Sequence, residues 1–160
     1  MKRVVFNQKG GVGKTSIACN LAAIGAAMGY RTLVVDLDVQ GNTTHYLVGA
    51  VDADAFPAEA QGVAGLYRQT VGTRKMRQNP DSFVWDTPYE NLFLMPSSPV
   101  LADMEKELES RYKIYKLRDA LEKLDEEYDR VYIDTPPSFN FYSKSALIAA
   151  DTVLVPFDCD

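Results

Sequence analysis

The chain has 160 residues, of which 46% are hydrophobic and 24% charged, and it carries a formal net charge of −5. This length suits one domain, and the composition is that of a globular protein rather than a disordered one. No apolar run approaches the ~20 residues that span a bilayer, and the acidic balance argues against a generally basic nucleic-acid-binding domain.

The first residues and the cysteines indicate where the protein works. Met1-Lys2-Arg3 leads directly into a short apolar segment, without the longer apolar stretch of a signal peptide. Cys19 and Cys159 are not closely spaced, which argues against a redox or zinc motif. We expect two reduced thiols in a cytoplasmic protein.

Predicted strands and helices alternate along the chain. Strands are predicted at residues 2–7, 31–36, 91–95, 130–134 and 152–156, and three of them are continuous apolar runs typical of parallel strands covered on both faces. Helical spacing of apolar residues predicts helices over 16–28, over 101–128 with a break between two helices, and over 140–150. This alternation predicts a doubly wound, mainly parallel α/β sheet.

Two segments are harder to assign. Glycines and prolines recur between residues 49 and 90, which predicts short helices and loops, with local packing or pairing at residues 83–85. Residues 152–156 are predicted as a core strand, yet only four residues follow them. A core strand without a covering helix leaves one face exposed, so we expect a piece of a longer protein, or a second chain on that face.

The clearest motif lies between the first predicted strand and the first predicted helix. Its sequence is Gln8-Lys9-Gly10-Gly11-Val12-Gly13-Lys14-Thr15, followed by Ser16. A glycine-rich turn lets backbone N–H groups converge on an anion at a helix N-terminus. In such a loop Lys14 reaches the β- and γ-phosphates, and the Thr15 hydroxyl can ligate Mg²⁺. The motif therefore predicts a nucleotide-phosphate site, although Gln8 replaces the usual first glycine and Lys9 adds a second lysine.

Two carboxylates follow the second predicted strand. Asp36 and Asp38 lie at its carboxyl end, where ligands bind in parallel sheets. Their side chains share one side only while the chain stays extended, because successive residues of a strand point to opposite faces. One carboxylate can then hold Mg²⁺ through water, while the other positions an attacking water.

A third motif follows the strand predicted at residues 130–134. This apolar strand ends in Asp134, which matches a Walker B carboxylate that lies near Mg²⁺ and usually acts through a coordinated water. Pro136 and Pro137 stiffen the chain that follows, as a segment that senses the γ-phosphate would require.

Together these motifs resemble the ParA/MinD family of ATPases, whose phosphate loop carries an extra signature lysine. The resemblance rests on the loop at 8–15, on Asp-Leu-Asp-x-Gln-Gly-Asn at 36–42 and on Asp-Thr-Pro-Pro-Ser at 134–138, and it extends over essentially the whole chain. It implies the P-loop NTPase fold, one ATPase domain over residues 1–160 whose C-terminal portion is absent from this sequence, and ATP and Mg²⁺ as cofactors. In this family two protomers enclose two ATP molecules, which implies a homodimer on ATP binding.

The resemblance also implies a role for each site residue. Lys9 would reach the partner's nucleotide, Lys14 would bind the phosphates of its own nucleotide, and Asp38 would position the hydrolytic water. The implied ATP-binding residues are Lys9, Gly10, Gly11, Val12, Gly13, Lys14, Thr15 and Ser16. The residues implied around Mg²⁺ are Thr15, Asp36, Asp38 and Asp134.

Details of the motifs resemble ParA/Soj partition proteins more than MinD. These details are Gln8, the Gln-Gly-Asn at 40–42 and the Thr-Pro-Pro-Ser at 135–138, whereas Val39 departs from the proline usual in partition proteins. The resemblance implies an ATP-bound dimer that binds DNA without sequence preference on the nucleoid, and a partner protein that stimulates hydrolysis. The DNA and adenine contacts are expected beyond Asp160.

Two other functions stay open. A MinD-like membrane-associated ATPase would need a C-terminal amphipathic helix, and we do not favour a membrane partner. A nucleotide-gated scaffold would bind ATP and its partners but hydrolyse little.

Overall fold

A computed structural model of the chain describes residues 1–48, 61–69 and 78–157. Six strands of this described part form one sheet, in the order β3-β4-β2-β5-β1-β6. They are β1 (Lys2–Val5), β2 (Thr32–Asp36), β3 (Trp85–Asp86), β4 (Leu92–Met95), β5 (Arg130–Asp134) and β6 (Thr152–Leu154). All neighbouring strands are parallel except the short β3, which pairs antiparallel with β4. The predicted mainly parallel sheet is confirmed.

Six α-helices of the described residues connect and cover the strands. They are α1 (Lys14–Ala27), α2 (Asn42–Val48), α3 (Gly62–Arg68), α4 (Leu101–Ser110), α5 (Lys116–Lys123) and α6 (Phe141–Ala149). The predicted break between residues 101 and 128 is confirmed as the 3₁₀ turn Lys113–Tyr115. The short elements predicted for residues 49–90 are confirmed in the described part of that segment, where Trp85 pairs with Leu94. Residues 49–60 and 70–77 lie outside the described residues, and so does Cys159.

Side chains of the central strand β2 enter two cores, one on each face of the sheet. Leu33 and Val35 belong to the larger core, which includes buried residues of α3, α4, α5 and α6. Val34 belongs to the smaller core, with residues of α1 and α2. Since alternate strand residues point to opposite faces, this division explains why the strand is apolar without interruption. The predicted doubly wound architecture is therefore confirmed.

The last strand lies at an edge of the sheet among the described residues. β6 pairs there only with β1. Val153 is 50% exposed and Val155 is 53% exposed. The sequence predicts such an exposed face for this apolar strand.

The sheet brings the carboxyl ends of β1, β2 and β5 together. Asp36 at the end of β2 is paired in register with Asp134 at the end of β5, and Asp134 is also paired with Val5 of β1. The two predicted acidic motifs and the glycine-rich loop after β1 therefore meet at the carboxyl ends of these strands, where ligands bind in parallel sheets.

Candidate functional site

The glycine-rich loop connects β1 to the N-terminus of α1. Gly11 and Gly13 have φ angles of +75° and +83°, in the left-handed region that side chains other than glycine rarely adopt. Gly13 is the N-cap of α1, and its carbonyl accepts the N–H of Ile17 at 2.9 Å. No acidic residue lies in the first turn of this 14-residue helix, so its positive end is available to an anion.

The two lysines of the loop have different environments. Lys14 is only 7% exposed, and its Nζ donates to the Lys9 carbonyl at 3.1 Å, which holds the ammonium over the loop. Lys9 is exposed, and its N–H donates to the Asn7 side chain at 2.8 Å. A phosphate group between the loop and Lys14 would therefore meet a cation already held in place.

The remaining predicted loop residues differ in exposure. Gly10 and Gly11 are exposed, and Val12 and Gly13 are half-buried. Ser16, in the first turn of α1, is exposed, and its carbonyl accepts the Asn20 amide at 2.7 Å. Gly10, Gly11 and Ser16 are therefore accessible to a ligand.

Asp134, at the end of β5, is hydrogen-bonded to the first turn of α1, the helix that follows the glycine-rich loop. One carboxylate oxygen, Oδ2, accepts the hydroxyls of Thr15 and Thr43, each at 2.7 Å. The other, Oδ1, is buried and has no hydrogen-bond partner among the described residues. Burial raises the pKa of Asp134, although the two hydroxyls oppose that rise.

Asp36 is fully buried beside Asp134 and is held by its own chain. Its Oδ2 accepts the N–H and the hydroxyl of Thr44, at 2.8 and 2.7 Å, and its Oδ1 accepts the Asp38 N–H at 3.1 Å. Burial raises the pKa of Asp36 to about 7, and the nearby charge of Asp134 adds to the rise. Both oxygens of Asp36 thus serve the loop that follows β2.

Asp38 lies in that loop, where the chain leaves the extended conformation. Its Oδ1 accepts the Gln40 N–H at 3.0 Å, and its carbonyl accepts the N–H of Gly41 at 2.9 Å. The side chain is mostly buried, with the residue 9% exposed. Because the chain turns here, the carboxylates of Asp36 and Asp38 have different partners instead of forming one pair.

Four further polar residues hold the site together, and the sequence motifs did not single them out. They are Asn7, Thr43, Thr44 and Ser97. Asn7 donates to the Pro156 carbonyl at 2.7 Å while it accepts the Lys9 N–H, and this connects the loop to the end of β6. Thr43 and Thr44 directly follow the 36–42 motif. Two adjacent hydroxyl residues at the start of a helix were therefore the sequence signal that could have assigned them to the site. Ser97 follows β4 and carries no such signal, because a serine after a strand is common.

The donor groups fit a magnesium–nucleotide pair. Mg²⁺ commonly binds one or two carboxylates, the phosphates of the nucleotide and several waters. Asp134 offers a buried oxygen without a partner, and the Thr15 hydroxyl directs its hydrogen to Asp134 so that its lone pairs remain for a cation. Within residues 1–48, 61–69 and 78–157 no three His, Cys, Asp or Glu side chains form a cage for a metal without a nucleotide.

Cys19 lies close to this site but has the character of a structural thiol. Its Sγ contacts the Thr43 hydroxyl at 3.7 Å, and burial raises its pKa to about 11. It is a free cysteine, as expected from the sequence.

None of the described helices is both long and apolar enough to cross a membrane.

Comparison with known proteins agrees with this geometry. The sequence profile of a family described as an AAA domain matches residues 2–160. The chain belongs to this AAA domain family. A chromosome partitioning protein ParA from Myxococcus xanthus (strain DK1622) is 37% identical over 158 residues, which are 98% of this chain and 51% of that relative. The sporulation initiation inhibitor protein Soj from Bacillus subtilis (strain 168) is 36% identical over 157 residues, 98% of this chain and 57% of Soj.

These relatives confirm the resemblance of this AAA domain chain to ParA/Soj proteins. The chain spans about half the length of the curated relatives it matches. The shared part includes all three motifs of the site, since nearly the whole of this chain is aligned.

Solved structures of similar proteins have the same fold as this family member. Cobyrinic acid a,c-diamide synthase from Mycobacterium smegmatis, with a bound ATP analogue and magnesium, has a TM-score of 0.84 at 35% identity, covering 99% of this chain and 60% of that chain. A plasmid partition protein from Borrelia burgdorferi has a TM-score of 0.81 at 26% identity, covering 99% of this chain and 66% of that chain. The predicted P-loop NTPase fold is therefore confirmed.

Proposed function

We propose that residues 1–160 belong to the ATPase domain of a ParA/Soj-type partition protein, which uses Mg²⁺-dependent ATP hydrolysis to control its binding to DNA. The observation that carries this proposal is the position of Asp134. It lies beside the glycine-rich loop and accepts a hydrogen bond from the Thr15 hydroxyl. Its other oxygen is buried and has no hydrogen-bond partner among the described residues. Similar proteins support the proposal through their names as partition proteins and through a structure with an ATP analogue and magnesium.

Each residue of the loop has a task in this function. The N–H groups of residues 10–15 and the N-terminus of α1 bind the phosphates, and Lys14 exchanges its bond to the Lys9 carbonyl for a phosphate oxygen. Thr15 and Asp134 hold Mg²⁺, directly or through its waters. When bound, this ion neutralises charge on the transferring phosphate.

Asp38 acts on the attacking water. Its Oδ1 accepts the Gln40 N–H, which fixes the side chain, and its second oxygen remains to accept a hydrogen from water. Asp36 holds this loop in place, because its Oδ1 accepts the Asp38 N–H and its Oδ2 accepts the Thr44 N–H. Water held in this way needs less reorganisation before it attacks.

Lys9 acts across a dimer. Lys9 is exposed in the single chain. In a dimer that closes over two nucleotides, the ammonium would reach the partner's phosphates and stabilise charge as an arginine finger does when it is supplied in trans. The ATP-bound dimer binds DNA without sequence preference, and a partner protein stimulates hydrolysis and resets it.

The proposal is tested by ATP turnover of the full-length protein, measured with and without Mg²⁺, DNA and the partner protein. We expect Mg²⁺-dependent turnover that DNA and the partner raise, and its loss in Lys14→Ala. A matched control is Lys106→Ala, which removes an exposed lysine of α4 far along the chain from the loop. Absence of turnover in the parent protein, despite ATP binding, would favour a nucleotide-gated scaffold.

DNA binding is tested separately through its dependence on salt. Contacts between lysine or arginine and DNA phosphates release counterions, so affinity falls steeply as salt increases. We expect binding only with ATP and a loss of affinity between low and moderate salt. Binding to anionic vesicles in place of DNA would favour the MinD-like alternative.

A further inference from the structure

A closed ring of hydrogen bonds links the end of β4 to the loop that carries Asp38. The ring has four members: Asp36, Asp38, Thr44 and Ser97. The Ser97 hydroxyl donates to the Asp38 carbonyl at 2.6 Å, and the Ser97 N–H donates to the Thr44 hydroxyl at 2.9 Å. Thr44 in turn donates to Asp36, and Asp36 accepts the Asp38 N–H, which closes the ring.

All four members are shielded from water. Asp36 and Ser97 are fully buried, Thr44 is 4% exposed and Asp38 is 9% exposed. A polar network in such a place rigidifies its surroundings only when every member is satisfied, because each missing bond leaves a buried group without a partner. Here each bond of the ring satisfies such a group.

The backbone around Ser97 makes it a firm anchor. It follows β4 by two residues, and Met95 at the end of that strand is buried and paired in register with Val35. Pro96 precedes Ser97, and its carbonyl accepts the Val63 N–H at 3.0 Å. The serine is therefore fixed from two elements that do not belong to the Asp38 loop.

The bond from Ser97 completes the hydrogen bonding of the Asp38 carbonyl. This oxygen accepts two hydrogens, from the Gly41 N–H at 2.9 Å and from the Ser97 hydroxyl. The first bond closes the turn at 38–41, and the second attaches this turn to β4. The turn is also connected to the protein through the Asp36 carboxylate and through Leu37, whose N–H donates to the Asp134 carbonyl at 3.0 Å.

We propose that Ser97 is a positioning residue for the hydrolytic step, which it serves by fixing the main chain of Asp38 and hence the direction of that carboxylate. This inference rests on the proposed function, in which Asp38 orients the attacking water. The described hydrogen bonds of Ser97 go to Asp38 and Thr44, so we expect its contribution in the rate of the reaction and not in nucleotide binding.

The chain offers a matched control in the next residue. Ser98 is also buried, at 2% exposure, but its hydroxyl accepts the Val100 N–H at 3.4 Å, at the start of α4, and is not part of the ring. In Ser97→Ala of the full-length protein we expect kcat for ATP to fall about tenfold while KM stays within about twofold. In Ser98→Ala we expect both constants to stay near those of the parent. A kcat for Ser97→Ala equal to that of Ser98→Ala would overturn the proposal.

A second pair of variants covers the case in which Ser97→Ala does not fold. Thr44→Ser keeps the hydroxyl of the ring, whereas Thr44→Val keeps the shape and removes the hydroxyl. We expect kcat to fall only in the valine variant. An equal kcat in both variants would overturn the proposal.

Hydrogen exchange separates a failure of this inference from a failure of the proposed function. If the parent protein does not hydrolyse ATP, the proposed function is wrong, and the amides of residues 36–41 then decide whether the ring fixes the loop. We expect faster exchange of these amides in Ser97→Ala than in Ser98→Ala. The same exchange in both variants would overturn the inference, whatever the parent's turnover.

Discussion

Lys14 and Lys9 have identical side chains in different environments. Lys14 begins α1 and is held over the loop by the Lys9 carbonyl, whereas Lys9 is exposed. We therefore expect Lys14→Ala to lose ATP affinity, and Lys9→Ala to retain most of it. Equilibrium binding of a fluorescent ATP analogue measures both, and an equal loss in the two variants would contradict this division.

Thr43 provides a second prediction at the scale of one residue. Its hydroxyl is one of two that satisfy Oδ2 of Asp134, and the residue is fully buried. Thr43→Val keeps the shape but removes the donor, so we expect the free energy of unfolding to fall by about 1–3 kcal/mol. Urea unfolding measures the change, with Thr43→Ser as the control that keeps the hydroxyl. Equal stability of the valine and serine variants would show that this bond contributes nothing.

The sequence predicts the residues of the site better than their partners. The glycine-rich loop, Asp36, Asp38 and Asp134 were predicted from residue types and spacing that suit phosphate and Mg²⁺, and the sheet brings them together, while their roles stay predictions. Ser97 could not be found in this way, because its contact with Asp38 crosses 59 positions of sequence and depends on β4 lying beside β2. Only the folded sheet shows which hydroxyl is near which carbonyl.

At the scale of elements, the start of α3 is packed tightly against the end of β4. Gly62 has a φ of +56°, and a Cβ added there would lie 2.3 Å from the Pro96 carbonyl oxygen. This close approach brings α3 next to the segment that holds Ser97. It explains why glycine is required at this position, for both its backbone conformation and its lack of a side chain.

Gly62→Ala tests this packing against a matched glycine. Gly29 also has a positive φ, of +88°, but an added Cβ there meets nothing within 4 Å. We expect Gly29→Ala to lower the free energy of unfolding by about 1 kcal/mol through backbone strain alone, and Gly62→Ala to lower it by about 3 kcal/mol or more, because a clash is added. Chemical denaturation compares them, and equal losses would contradict the tight contact.

Element types were predictable from the sequence, but element environments were less so. The strands and the long helices followed from apolar runs and helical spacing, and their observed ends differ by a few residues, as is usual. The apolar run of β6 predicts a strand with one exposed face, and Val153 is half exposed, but the run does not show that β6 pairs only with β1 among the described residues. Which strand lies at an edge depends on strand order, and the periodicity of one segment does not predict strand order.

For the whole molecule, the buried acids make stability depend on pH. Burial raises the pKa of Asp36 to about 7, well above its value in the unfolded chain of about 4. The folded state therefore binds this proton more tightly than the unfolded state does. Its contribution to stability is full below about pH 4 and is lost as the pH rises toward 7.

Asp36→Asn isolates this contribution from that of other titrating groups. We expect the parent to lose stability relative to this variant as the pH rises from 5 to 7, with a slope of at most about 1.4 kcal/mol per pH unit for one proton. Parallel curves for the parent and Asp36→Asn would contradict a raised pKa in the folded protein.

In the proposed function, each active site combines one protomer's phosphate loop and Asp38 with the partner's Lys9. Mixing two inactive variants of the full-length protein tests this arrangement. Lys9→Ala and Asp38→Ala should each lose partner-stimulated ATP turnover. In a mixed dimer, the protomer that carries the Lys9→Ala substitution keeps its own Asp38 and receives an intact Lys9 from the other protomer, so one complete site forms. With random mixing we predict recovery of about a quarter of the parental turnover. No recovery, despite dimers shown to exchange subunits, would contradict the claim, because no mixed dimer contains a complete site if Lys9 acts within its own chain.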